Sequence, residues 1–184
     1  GVANALLLPY IMEYNADSPS RAKYLDIAKA MGVDVEAELG KVGDVGKDDD
    51  KVDVFTDVEE SAEFIARTGV DALAVAIGNQ HGRYVATPKL NIARLIELHE
   101  RNSMPLVLHG GSGTSEEDFK ACIHNGICKI NVATAIQVGI ADDVKRYADS
   151  AERLDYITMK GIMVEASQRV VAEHIRLFES NNRA

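Results

Sequence analysis

Tryptophan is absent from this 184-residue chain, aromatic side chains make up only 5% of it, and it holds four prolines and two cysteines. Cys122 and Cys128 are too few for a disulfide framework and do not form a CxxC pair, which fits a reducing, cytoplasmic compartment. Long apolar runs are also missing. The longest early one, residues 5–12, is too short to span a bilayer and contains Pro9, and no basic stretch precedes it as in a secretory signal. Positive charge is in deficit. Twenty Lys and Arg against 29 Asp and Glu leave a formal net charge of −9, which argues against a nucleic-acid or membrane-surface partner. A small phosphorylated ligand stays open, because it needs only a local pocket. The first residue is Gly1 rather than Met, which fits processing or a longer parent chain.

What is present is the balance of one globular domain, 46% hydrophobic and 27% charged. From residue 33 onward, short apolar runs at 33–39, 72–77, 106–108 and 127–132 alternate with amphipathic stretches. Runs of this length, apolar throughout and closed by Gly or a turn, suit strands buried on both faces of a parallel sheet. The intervening stretches predict helices. Thr56-x-x-Glu59 and Ser115-x-x-Asp118 read as capping boxes, residues 90–99 carry Ile92, Leu95, Ile96 and Leu98, and a long helix over 158–179 aligns Ile162, Ala166, Val170 and Leu177. Repeated βα units specify an α/β fold.

Residues 1–32 stand outside this rhythm. Ser20 as N-cap, Tyr24, Ile27, Ala28 and Met31 inward, and Gly32 as stop predict a helix over 20–31, preceded by an apolar segment broken at Pro9. The charge cluster Lys47 to Lys51, within a Gly-rich segment beginning at Gly40, reads as a solvated loop.

The residues with chemistry stand where strands end. The run 72–77 leads into Gly78-Asn79-Gln80-His81-Gly82, and 106–108 leads into His109-Gly110-Gly111-Ser112-Gly113. On a parallel sheet that edge is where ligands bind. A lone histidine is more often structural, but His81 and His109 occupy matched positions on separate strands and are placed to converge on a metal ion. Two ligands are too few for catalytic zinc. Glu38, at the end of the 33–39 run, is the available third candidate, and a buried acid paired with a lysine or backbone donor is an equal reading of it. His99, His124 and His174 fall on helices and read as surface residues. Gly110 to Gly113, together with Asn131-Val132-Ala133-Thr134 where a strand passes into a helix, offer backbone N–H groups and a helix N-terminus to a phosphate.

Four segments, Val35-Glu36-Ala37-Glu38-Leu39-Gly40, Ala74 to Gly78 with His81-Gly82, Leu106 to Gly113, and Gly126 to Thr134, resemble class II ketose-bisphosphate aldolases of the tagatose- and fructose-bisphosphate branch. The resemblance covers about residues 33–180. It implies a partial zinc-dependent (β/α)8 barrel, with four strands equivalent to the last four of eight. The implied reaction is reversible cleavage of a ketose 1,6-bisphosphate to dihydroxyacetone phosphate and glyceraldehyde 3-phosphate. His81 and His109 are the implied zinc ligands. Gly82, Gly110, Gly111, Ser112, Asn131, Val132, Ala133 and Thr134 are the implied phosphate-end contacts, and Asn131 also hydrogen-bonds the enediolate. Lewis-acid stabilisation of charge beside a carbonyl suits this cleavage.

Departures accompany the resemblance. The Asp-His pair that supplies the family's acid/base and third zinc ligand has no counterpart in residues 1–32. The mobile loop after Glu38 lacks the family's Glu, and Asn79, Gln80 and Ala135 replace expected neighbours. A catalytically incomplete half-barrel that binds phosphate or zinc, or acts as an interaction module, is therefore the alternative. Residues 1–32 instead resemble a fragment of iron-containing alcohol dehydrogenases of the lactaldehyde reductase kind, which implies a domain boundary near residue 33. The open edges of four parallel strands predict a homodimer.

Overall fold

In a computed structural model of the chain, residues 21–40, 43–44, 55–81 and 89–182 are described. The order of elements is helix α1 (Arg21–Met31), β1 (Glu36–Leu39), β2 (Gly43–Asp44), α2 (Val58–Thr68), β3 (Ala72–Val75), β4 (Gln80–His81), α3 (Ile92–Arg101), β5 (Leu106–Leu108), α4 (Glu116–His124), β6 (Ile127–Ile130), α5 (Thr134–Ser150) and α6 (Tyr156–Leu177). Strands β1, β3, β5 and β6 form one parallel sheet in that order, so each strand lies beside the next main strand in sequence, as in a barrel wall. The predicted α/β architecture is the observed one.

The two inner runs are strands covered on both faces, whereas β1 and β6 at the sheet's edges are only partly buried, with Glu38, Cys128 and Lys129 exposed. Leu73, Val75, Ile77, Leu106 and Leu108 are fully buried with Leu95 and Leu98 of α3 and Cys122 of α4, and Phe119 and Ile127 join the same core. The strands are shorter than the apolar runs. Val35 is buried ahead of β1 in a small cluster with Ala28 and Val70, and Ile77 is buried beyond β3, its N–H donating to Asn79 Oδ1 (2.8 Å).

Three local expectations need correction. Thr56 does not cap α2. Asp57 does, accepting from the N–H groups of Glu59 (3.0 Å) and Glu60 (2.9 Å). The Thr56 hydroxyl is buried between two strand ends, donating to Leu39 O (2.5 Å) and accepting from Ala76 N–H (2.8 Å), so it is unavailable to the helix. In α1, Ala28 is buried, but Ile27 and Met31 are largely exposed. One short stripe of a helix is enough to contact so small a cluster. His174 is half-buried rather than fully on the surface. Its Nδ1 lies 2.8 Å from Val170 O and its ring meets Phe178 edge-on. Other sequence signals match: Ser115 caps α4 by accepting from Asp118 N–H, and Gly32 ends α1 at φ +64°. Ser20 and the charged loop 47–51 lie outside the described residues.

Beyond the main sheet, β2 and β4 form a second parallel pair in which Gly43 stands opposite Gln80 and Asp44 opposite His81. The chain leaving β1 thus runs beside the chain leaving β3. Gly40, directly after β1, has φ +103°, and a Cβ there would stand 2.8 Å from Thr56 Oγ1 and 2.9 Å from Ala76 Cβ. Gly40→Ala combines a backbone penalty with a clash against the Thr56 bridge. It is expected to destabilise the fold by roughly 2–4 kcal/mol, read as a lower urea midpoint at unchanged m-value. No helix among the described residues is long and apolar enough to cross a membrane.

Candidate active site

Side chains two residues apart on a strand share a face. Glu36 and Glu38 of β1 therefore point the same way, and so do Lys129 of β6 and Asn131 just after it. His109 follows β5 directly. Its ring stands between the two acids, with Nδ1 2.9 Å from Glu38 Oε2 and Nε2 3.0 Å from Glu36 Oε1. Lys129 Nζ donates to Glu36 Oε2 (2.7 Å) and to Asn131 Oδ1 (2.7 Å). Strands β1 and β6 are the outer members of the sheet, three strand spacings or about 14 Å apart if it were flat. With His109 of the strand between them also on Glu36, contact between Glu36 and Lys129 fits a sheet that curls, as a barrel wall does, and gathers one polar cluster on one face.

The electrostatics follow from this enclosure. The His109 side chain is 16% exposed. Burial opposes its charged form, but the hydrogen bonds and charges of Glu36 and Glu38 outweigh burial and push its pKa up to about 9. Glu36 moves oppositely: the hydrogen bond from His109 holds it below the usual carboxylate range, with Lys129 assisting and burial working against them. Paired charges of opposite sign stabilise one another in a partly buried setting.

The backbone positions these groups. Asn79, almost fully buried, donates from Nδ2 to His109 O (2.9 Å) while its Oδ1 holds Ile77 N–H, so it ties the end of β3 to the end of β5. Asn131 N–H donates to Leu108 O (3.0 Å) and joins the end of β6 to the end of β5. Gly110 has φ +70°. Gly111 packs closely on Phe119, where a Cβ would approach the ring to 3.0 Å. Ser112 Oγ accepts from Ala135 N–H (3.0 Å), so the glycine turn docks on the first turn of α5. That helix has no side-chain cap of its own at Ala133. Apart from Ala135, the N–H groups of its first turn thus have no side-chain cap, and a helix start of this kind attracts a phosphate.

The sequence-predicted residues thus sort clearly. His109, Glu38 and Asn131 join one cluster, and Gly110, Gly111, Ser112 and 131–134 line its neighbourhood. Glu38 is neither buried nor paired with a lysine; its partner is His109. The backbone of His81 lies on β4, opposite Asp44, but its side chain and all of Gly82 lie outside the described part. Sequence reasoning passed over Glu36, Lys129 and Asn79 as members of the site. The i, i+2 spacing of Glu36 with Glu38, and of Lys129 with Asn131, was the available signal for two of them.

The donor types suit zinc, which takes imidazole and carboxylate ligands. A carboxylate on one nitrogen of His109 matches how metal-bound histidines are oriented from behind. The described donors do not converge on one point, because the ring stands between the two acids, and among the described residues no group of three or more His, Cys, Asp or Glu forms a metal cage. A complete cage needs a further ligand, and His81 is the sequence candidate.

Known proteins resemble this chain in sequence and fold. The chain is 44% identical over 126 residues to the D-tagatose-1,6-bisphosphate aldolase subunit GatY of Klebsiella oxytoca, a match covering 67% of this chain and 44% of that protein. It superposes on the YdjI aldolase of Escherichia coli K12 with a TM-score of 0.74 at 37% identity, covering 89% of this chain and 56% of that one. The fold alone extends to the fructose-bisphosphate aldolase of Campylobacter jejuni, at 24% identity and a TM-score of 0.59, covering 86% of this chain and 53% of that one. The chain spans less than half the length of the curated relative it matches. Residues 12–183 match the family described as fructose-bisphosphate aldolase class-II. With the motifs at the strand ends, the curled parallel sheet and this match in agreement, the chain belongs to the class-II fructose-bisphosphate aldolases.

Proposed function

We propose that this chain is a zinc-dependent aldolase that reversibly cleaves a ketose 1,6-bisphosphate, tagatose or fructose, to dihydroxyacetone phosphate and glyceraldehyde 3-phosphate. The observation that carries the reading is the linked cluster Glu38–His109–Glu36–Lys129–Asn131, set beside a glycine turn docked on the start of α5. In this reading His109 and His81 hold zinc, which when bound supplies Lewis-acid polarisation of the substrate carbonyl. Glu36 fixes the His109 ring from behind. Lys129 holds the Asn131 amide by its oxygen, leaving its N–H donors to stabilise the enediolate oxygen that develops on cleavage. Backbone N–H groups of Gly110, Gly111 and residues 132–134, with Ser112 at their side, hold the phosphate, and binding remote from the reacting carbons fixes the geometry. Gly82 belongs to the same phosphate end.

A second reading is favoured by one sequence observation, that the segment after Glu38, residues 43–48, holds no Glu to move the carbon-bound proton. The chain then binds zinc and phosphate without completing the reaction. Loss of a general acid/base alone removes about 10²–10⁴-fold in rate.

Incubating the purified chain with fructose and tagatose 1,6-bisphosphate, with added zinc or with a chelator, decides between them. Under the first reading, triose phosphate forms with zinc, stops with the chelator and resumes on zinc addition. Folded protein that binds zinc and yields no triose phosphate establishes the second reading and overturns the first.

A further inference from the structure

The parallel ladder between β3 and β5 ends at the pair Ala74–Val107, two residues before His109. Past the ladders, the strand ends are joined by single polar groups. Thr56 Oγ1, between Leu39 O and Ala76 N–H, joins β1 to β3, and Asn131 N–H, on Leu108 O, joins β6 to β5. Between β3 and β5 the group is Asn79, 3% exposed, with Oδ1 accepting from Ile77 N–H (2.8 Å) and Nδ2 donating to His109 O (2.9 Å). A buried amide is costly unless it is hydrogen-bonded, and here both of its ends are engaged. A backbone N–H only donates and a carbonyl only accepts, so these partners fix which way the amide faces.

We propose that Asn79 is a positioning residue for the metal centre, holding the backbones of His81 and His109 at the separation that one metal ion requires. The proposal rests on the assignment of both histidines to zinc in the aldolase reading. Asn79 stands two residues before His81 and 30 before His109, and of the three clips it is the one whose partner is a proposed ligand. The peptide it grips lies between His109 and Gly110. Gly110 sits at φ +70°, and glycine imposes little restraint of its own. A donor fixed at the His109 oxygen therefore restricts rotation of this peptide, and with it the direction in which the imidazole leaves the main chain.

The other end of the amide acts on the turn toward His81. Its bond to Ile77 N–H fixes the entry into Gly78, at φ +99°, where a Cβ would stand 2.8 Å from Lys89 O. One side chain thus ties the turn leading to His81 to the peptide leaving His109. Glu36 and Glu38 set the His109 ring, and Asn79 sets the main chain that carries it. Outer-shell groups that orient metal ligands typically contribute about 10–100-fold in affinity, because ligands already in place lose less freedom on binding.

Calorimetric titration of zinc into the metal-free purified chain tests this, with cobalt(II) absorption reporting the geometry of the site. Asn79→Ser keeps a short acceptor for Ile77 N–H and is too short to reach His109. Losing one buried hydrogen bond is a small part of a domain's stability, so its circular dichroism should stay native. It should bind zinc about 10-fold more weakly than the wild type, or worse, and its cobalt bands should change in position and intensity. Asn79→Asp, equal in size but without the N–H donor, should change the cobalt bands as well. As a control, Asn102→Ser removes a similarly buried amide on Ser61 Oγ (2.9 Å) and Leu98 O (3.0 Å), at the end of α3, and should bind both metals as the wild type does. A folded Asn79 variant with wild-type cobalt bands, or Asn79→Ser with undiminished zinc affinity, overturns the proposal and leaves the aldolase reading in place. Equal weakening in Asn102→Ser also overturns it, since general loosening then accounts for the loss. A wild-type chain that binds no zinc overturns both.

Discussion

Leu106→Ala should destabilise the fold by about 3–5 kcal/mol, a large share of the roughly 5–15 kcal/mol available to a domain. Leu106 is fully buried on an inner strand, opposite Leu73 of β3 and Ile127 of β6, and belongs to the main core. Truncation removes its burial and leaves a void between two strands whose backbones cannot close in, because both are held in ladder hydrogen bonds. The urea midpoint should fall by one to a few molar at an m-value of about 1–3 kcal/mol/M. Leu106→Met, nearly equal in volume, should cost under about 1.5 kcal/mol. Equal losses for the two variants would show that Leu106 matters for its shape or backbone rather than its buried volume.

His109→Ala should abolish zinc-dependent behaviour. In the proposed site it removes a ligand and the group that keeps Glu36 and Glu38 from facing one another uncompensated, leaving Lys129 as the remaining counter-charge to Glu36. Any triose-phosphate formation should fall by on the order of 10³-fold or more. Zinc stabilisation offers a readout that needs no turnover. For the wild type, zinc at a hundredfold excess over its dissociation constant should add about 2.7 kcal/mol to unfolding, and the variant should show no such gain. An undiminished zinc-induced rise in melting temperature would remove His109 from the metal site.

Much of this was legible beforehand. Strands covered on both faces need continuous apolar residues, so Leu73 to Ile77 and Leu106 to Leu108 announce themselves as runs, and His109 with its glycines stands at a strand end by adjacency alone. Caps whose partners lie three residues away were read well at Ser115. At Thr56 the local signal misled, because its hydroxyl is used by Leu39 and Ala76, 17 and 20 residues away. Adjacency in sequence carries no information about such partners.

The same boundary separates the two halves of the site. The sequence by itself determined that His109, Gly110, Gly111, Ser112, Asn131 and Glu38 would lie at or near the C-terminal ends of the strands of a parallel sheet, since strand period and turn chemistry are local. Only the tertiary structure decided that Glu36 and Lys129, 93 residues apart on opposite edges of that sheet, would meet at 2.7 Å and that Asn79 would anchor the His109 carbonyl. That outcome depends on how far the sheet curls. Curl is set by strand twist and by helices packed behind the strands, a sum over the whole fold that no single segment encodes.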